Sequence, residues 1–200
     1  MLQQIALPAL RVTAVTLFLT GLVYPLACVP IAQLLFPQRA SGSLIFDDRG
    51  EVIGSALIGQ RFASPHYFQG RPSAAGTDGY DASASSGSNF GPTSQRLQRR
   101  VQSDLTRLQA DNPDQHQAIP VELLTASASG LDPHLSPHAT LWQVPRVAKA
   151  RGLSEDRVAA LIAELQEGRD LGIFGEPRVN VLLLNVALDR RFGRLVAVGP

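Results

Sequence analysis

Lysine is almost missing from this chain: Lys149 is the only one in 200 residues, and it sits between Ala148 and Ala150. A Walker A loop needs lysine between glycine and serine or threonine, so that nucleotide-hydrolysing machine is excluded. The Asp-Lys pair at which ion-pumping ATPases are phosphorylated is absent as well. Cysteine is equally scarce. Cys28 stands alone within an apolar stretch, so the remainder forms no internal disulfide, a composition that fits either side of a membrane. No His-Glu-x-x-His pair and no Gly-x-Ser-x-Gly elbow occurs; Gly87-Ser88-Asn89-Phe90-Gly91 has the wrong spacing for the latter. A net charge of +1 gives no reason to expect nucleic acid as a partner.

Charge is absent altogether from Val12 to Phe36, 25 residues without Asp, Glu, Lys, Arg or His. As a helix rising ~1.5 Å per residue this stretch reaches roughly 37 Å, enough to cross a ~30 Å hydrocarbon core with some tilt. Arg11 and Arg39 bracket it as interfacial charges. Pro25 and Pro30 would break a soluble helix, but a membrane span tolerates them where freed carbonyls find partners on neighbouring helices. A cleaved signal peptide has an apolar run of ~7–15 residues and then a small-residue site. Here the run continues past Cys28 through Ile31, Leu34, Leu35 and Phe36, so a permanent anchor is expected. The flanking arginines are too evenly shared to give its orientation.

The expected organisation is therefore a tail at 1–11, a transmembrane helix at 12–36 and one soluble domain of mixed α+β type at 37–200. Within the domain, Ser43–Phe46 and Glu51–Ile58 read as strands around an Asp47-Asp48-Arg49-Gly50 turn. Residues 69–95 hold five Gly, six Ser and two Pro, with Tyr80 and Phe90 as the only large apolar side chains. That composition fits a flexible linker, while its aromatics and charges fit a functional loop. Leu97, Val101, Leu105 and Leu108 recur at helical spacing across 94–111. Pro145 suits the first turn of a helix reaching Arg151, Ser154 caps a helix over 158–167, and 172–177 reads as a turn. Asn180 caps a last helix over 181–191, with a buried strand over 179–184 as the alternative.

Candidate chemistry is thin. Asp132, His134 and His138 would suggest a metal site, but Pro137 interrupts the helix that would align the two imidazoles. Ser86, Gly87, Ser88 and Asn89 could offer backbone N–H groups to an anion or a nucleotide phosphate. The residues alone describe a membrane-tethered domain without a catalytic constellation. An accessory subunit fits best, and an independent membrane-anchored enzyme, a metal-binding protein or a ligand-sensing domain remains as the alternative.

Longer strings are more specific. Gly54-Ser55-Ala56-Leu57-Ile58-Gly59-Gln60 with Phe62, Tyr67-Phe68 and Arg71-Pro72-Ser73-Ala74-Ala75 occur in that order. They are followed by Ser86-Gly87-Ser88-Asn89-Phe90-Gly91-Pro92-Thr93 and by Thr125-Ala126-Ser127-Ala128-Ser129-Gly130-Leu131-Asp132-Pro133-His134-Leu135-Ser136-Pro137. Arg146-Val147-Ala148, Ala150-Arg151-Gly152 and Gly175-Glu176-Pro177-Arg178-Val179-Asn180-Val181 complete the series. Taken together the chain resembles the KdpC family, the C subunit of the bacterial Kdp potassium-transporting P-type ATPase.

The resemblance implies one helix in the bacterial inner membrane and a soluble domain outside the cytoplasm. It implies as partners a potassium-channel-like A subunit, an ATP-hydrolysing B subunit and a small F subunit, with potassium as the transported ion. The family is described as a catalytic chaperone that raises the apparent ATP affinity of the B subunit, so any ATP would act through that partner and not as a cofactor of this chain. Its Ser-Gly-Gly-like loop is proposed to touch nucleotide; here Ser86 stands where many relatives have glycine. A domain outside the cytoplasm cannot reach cytoplasmic ATP, so the topology favours assembly and shaping of the ion entrance. The expected partner surface is the loop 71–93 with the turns at 131–137, and Arg71, Pro72, Tyr80, Phe90, Asp132 and His134 are its candidate interface residues.

Overall fold

A computed structural model of the chain describes residues 2–194, which divide along the chain into two units between Ile53 and Gly54. The first unit opens with helix α1 (Leu2–Phe18), a five-residue π-type turn at Leu19–Val23 and helix α2 (Tyr24–Leu35). Helical structure thus begins ten residues ahead of the uncharged stretch, so the expected tail is helical. Pro25 brings no amide N–H for the i→i−4 ladder, and the turn answers by letting the Tyr24 N–H reach the Leu19 carbonyl one residue further back. The helix Gln4–Leu35 is long and apolar enough to cross a membrane, and none of its most apolar window is buried by the protein. A short helix, α3 (Pro37–Ala40), precedes strand β1 (Leu44–Phe46). Strand β1 pairs with β2 (Val52–Ser55) around a turn in which Asp47 Oδ1 accepts the Arg49 and Glu51 N–H groups at 2.9 Å each.

The second unit is α+β with very little sheet. Helix α4 (Gln95–Asp111) lays Val101, Leu105 and Leu108 on the core, as the apolar spacing predicts. Strand β3 (His134–Leu135) leads into α5 (Pro137–Trp142), α6 (Val144–Arg151) and α7 (Glu155–Leu165). A short antiparallel loop over 167–178 then returns to strand β4 (Val179–Asn180) and helix α8 (Val181–Phe192). Strands β3 and β4 run antiparallel, with His134 opposite Asn180 and Leu135 opposite Val179. Both readings of 179–191 therefore hold in part. Val179 and Asn180 are strand, and the Asn180 side chain then caps α8 by accepting the Leu183 N–H at 3.1 Å.

The core is built from Phe68, Leu135, Val147, Val158, Ile162, Val179, Leu184 and Leu188, all essentially inaccessible to solvent. Phe68 belongs to an irregular segment, so its backbone has no strand partner, and burial demands one. Side chains supply it. Asn185 accepts the Phe68 N–H and donates to the Phe68 carbonyl, both at 2.9 Å. Gln143 does the same for Gln69, at 2.9 and 3.0 Å. Arg146 donates to the carbonyls of Pro65 (2.8 Å) and Tyr67 (3.0 Å), to Asn112 Oδ1 (3.0 Å) and to Gln143 Oε1 (2.7 Å). Burial lowers its guanidinium to about 10, so it remains a cation at neutral pH, held by neutral acceptors.

Arg151 adds a fourth clamp. It donates to the His66 carbonyl and to Asp189 Oδ1, both at 2.7 Å, and its guanidinium stacks 4.9 Å from the Tyr67 ring centre. The Tyr67 hydroxyl in turn donates to Asp189 Oδ2 at 2.8 Å.

Arg146→Ala strips donors from four acceptors at once and is expected to cost about 2–4 kcal/mol. Thermal unfolding of the solubilised chain reads this as a fall of roughly 5–15 °C. Arg146→Lys is expected to recover little, because one ammonium does not reproduce a planar fork of donors. An unchanged unfolding temperature in Arg146→Ala would sink this account of the clamp.

Candidate functional site

The glycine- and serine-rich stretch 69–95 is fastened to the loop 125–132. The Ser73 hydroxyl donates to the Gly130 carbonyl at 2.6 Å and accepts the N–H groups of Tyr80 (2.7 Å) and Ala75 (3.2 Å). The Ser86 N–H meets the Ser129 carbonyl at 2.9 Å, and the Ser85 hydroxyl reaches the same carbonyl at 3.0 Å. Two glycines allow this contact. A Cβ on Gly87 would lie 2.8 Å from the Ala128 carbonyl oxygen. On Gly130, at φ +69°, a Cβ would lie 2.6 Å from the Ser86 oxygen and 2.7 Å from the Ala75 nitrogen. The composition of a spacer here serves a close crossing of two backbones.

Of the expected site residues, the fold gathers Arg71, Pro72, Tyr80, Asp132 and His134. The Tyr80 hydroxyl donates to the Arg71 carbonyl, and burial raises its pKa above the ordinary phenol value. Arg71 Nη1 lies 3.4 Å from Asp132 Oδ2, and His134 contributes its N–H (3.0 Å) and its ring Nδ1 (3.3 Å) to Asp132 Oδ1. Arg71 lines two depressions. One, of about 440 Å³, is shared with Pro72, Ser73, Tyr80 and the α4 residues Asp104 and Arg107. The other is an open hollow of about 530 Å³ with Leu57, Leu131 and Asp132 on its walls.

Phe90 packs instead under the Arg100 guanidinium of α4, 5.7 Å from its ring centre. Ser86 and Gly87 take part in the backbone crossing, so the Ser86 N–H is already engaged, and Asn89 sits exposed at φ +50°. His138 is exposed in the first turn of α5, while His134 turns to Asp132. Among the described residues no group of three His, Cys, Asp or Glu converges to hold a metal ion. The chemistry this arrangement offers is recognition by shape and charge.

Sequence reasoning passed over Ser73, Gln143, Asn185 and Arg146, which position the segment carrying Arg71. Polar residues inside helices gave no local sign of burial. Glu122 was missed as well: its carboxylate accepts the Ser136 N–H and hydroxyl and so fixes the start of α5.

The Asp132 carboxyl is held below its ordinary value, first by the His134 side chain and then by the His134 N–H and the Arg71 guanidinium, against some desolvation. A carboxylate lowered by folding stabilises the fold above its ordinary titration range, and that contribution is lost as pH falls through the lowered value. Asp132→Ala is therefore expected to cost about 1–3 kcal/mol at neutral pH from its lost hydrogen bonds. Urea unfolding should show the gap to wild type closing below about pH 4; a gap independent of pH would contradict this.

Comparison with known proteins follows the same regions. The family described as "K+-transporting ATPase, c chain" matches residues 6–190. A protein of Myxococcus xanthus named "Potassium-transporting ATPase KdpC subunit" is 58% identical over 194 residues, covering 97% of this chain and 92% of its own length. Proteins of the same name from Rhodopseudomonas palustris (strain BisB5) and Rhodospirillum rubrum are 55% and 54% identical. The first match covers 91% of this chain and 94% of the relative, the second 92% and 95%. A match that runs from the apolar helix to Arg190 at such identity leaves no other placement: the chain belongs to the KdpC family.

Proposed function

We propose that this chain is a non-catalytic accessory subunit of an ATP-driven potassium uptake complex, anchored in the bacterial inner membrane by its N-terminal helix. The observation that carries the reading is the 58% identity, across nearly the whole length, to a protein named as the KdpC subunit of a potassium-transporting ATPase. The soluble domain sits outside the cytoplasm and works through contacts with a channel-like A subunit, an ATP-hydrolysing B subunit and a small F subunit. It supports their assembly and the efficient use of ATP by the hydrolysing partner.

Its partner surface includes Arg71, Pro72 and Tyr80 together with Asp132 and His134. Proline-set turns and a serine-fastened crossing keep this surface rigid, which lowers the entropy lost on docking. The engagement of the Ser86 N–H with Ser129 favours a structural joint over a nucleotide cradle for residues 86–89. Phe90 stiffens the same loop against α4 through Arg100. Without a lysine beside a glycine or an aspartate, the chain burns no nucleotide by the two machines excluded above, and the fuel is spent by its partner.

Tagging this chain and solubilising it gently is expected to bring along a large ATPase and a channel-like membrane protein. Elution alone from cells with a working pump would overturn the reading. Protease added to spheroplasts is expected to digest the domain beyond Phe36; full protection would place it in the cytoplasm and reopen direct nucleotide contact.

A further inference from the structure

The loop between α7 and β4 carries the two most exposed large apolar side chains of the second unit among the described residues, with an exposed phenylalanine beside them. Leu171, Ile173 and Phe174 are 88%, 74% and 63% exposed. They sit on a braced frame. Glu167 and Arg178 exchange backbone hydrogen bonds at 2.9 and 3.0 Å, and Asp170 and Phe174 do so at 2.8 and 2.9 Å. Arg178 bridges Glu167 (2.9 Å) and Asp170 (3.3 Å), and Arg169 bridges Glu176 (2.8 Å). Leu171 holds φ at +53°, an uncommon conformation for a branched side chain, within the turn closed by the Asp170–Phe174 pair.

We propose that this tip is an anchor by which the domain docks into an apolar groove on a neighbouring protein subunit held in the same membrane. The inference rests on the accessory-subunit reading above and adds a second contact to the partner surface named there. Charge decides between protein and lipid. Residues 167–178 carry Glu167, Asp170 and Glu176 against Arg169 and Arg178, a net of −1, with no lysine, tryptophan or tyrosine. Loops that dip into bilayers rely on basic and amphipathic aromatic residues to meet anionic headgroups; this one has no tryptophan or tyrosine, and both of its arginines are engaged with its own carboxylates.

Area decides between a partner and a second copy. The three side chains expose on the order of 400 Å², the size of a functional patch but about half of what one side of a standard interface needs. Two such tips would not hold a dimer of this chain. A subunit already tethered beside its partner requires only a small anchor, because the tether raises the effective concentration. Preformed ion pairs at the base leave little side-chain order to be lost when the tip is buried.

The test uses the full chain in cells that assemble the pump. With Phe174→benzoylphenylalanine, illumination is expected to link this chain to one of the larger pump subunits. The triple variant Leu171→Ser, Ile173→Ser, Phe174→Ser is expected to recover at least tenfold less pump than wild type. Its unfolding temperature should stay unchanged within about 2 °C, as for other exposed positions. Links found only to lipid or to a second copy would overturn the inference, as would full recovery of pump by the triple variant beside an assembled wild type. A wild-type chain that purifies alone overturns the accessory-subunit reading itself, and this inference with it.

Discussion

The second unit depends on side chains doing the work that a β-sheet performs elsewhere. Residues 65–69 cross the core without a neighbouring strand, yet Phe68 is fully buried among Leu135, Val147 and Leu184. Each buried backbone group left unpaired would cost on the order of 1–3 kcal/mol, and several would exhaust the stability of an ordinary domain. Two amides and two guanidiniums meet that demand. Asn185 and Gln143 copy the paired donor and acceptor of a strand residue, while Arg146 and Arg151 reach the carbonyls between them. Arg146 is buried without a carboxylate in its bonding shell, so its value lies in geometry more than in charge neutralisation.

That clamp also explains how a loop of small residues becomes a defined surface. Fixing Phe68 and Gln69 sets the point from which residues 70–80 leave the core. From there Ser73, with one hydroxyl making three hydrogen bonds, joins the loop to Gly130. Arg71 is then carried to Asp132, which already holds His134. The candidate partner surface is thus three layers deep: core amides place a loop, a serine locks it, and the hydrogen-bonded trio of Arg71, Asp132 and His134 is displayed. A change in any layer moves the displayed one.

Much of this was legible before the fold was known. The anchor announced itself by the lack of charge, and α4 by its leucine and valine spacing. The cap at Asn180 named the start of α8, although the two strand residues ahead of it were visible only as an alternative. Periodicity follows elements that bury one face against a core. It is silent where a polar side chain is buried to satisfy backbone far away in sequence, as Gln143, Arg146 and Asn185 do. The loop 69–95 stayed open between linker and functional loop for a related reason. Glycines that permit the close approach of 86–87 to 128–130 are indistinguishable, by composition, from glycines that permit motion. Resemblance to a known family supplied what periodicity lacked, because ordered strings such as 125–137 record contacts that no local rule encodes.

The clamp joins positions that leave the ribosome far apart. Phe68 waits for Asn185 across 117 residues, and Tyr67 waits for Asp189 across 122. Until α8 has been synthesised, the Phe68 N–H and carbonyl lack their Asn185 partner, even where Gln143, Arg146 and Arg151 already hold the neighbouring backbone groups. Closure is therefore a late event in the birth of the domain, of the slow, long-range kind. A nascent chain interrupted before α8 would leave Phe68 without its Asn185 partner and its central segment open to proteases, so the clamp closes only on a domain made through α8.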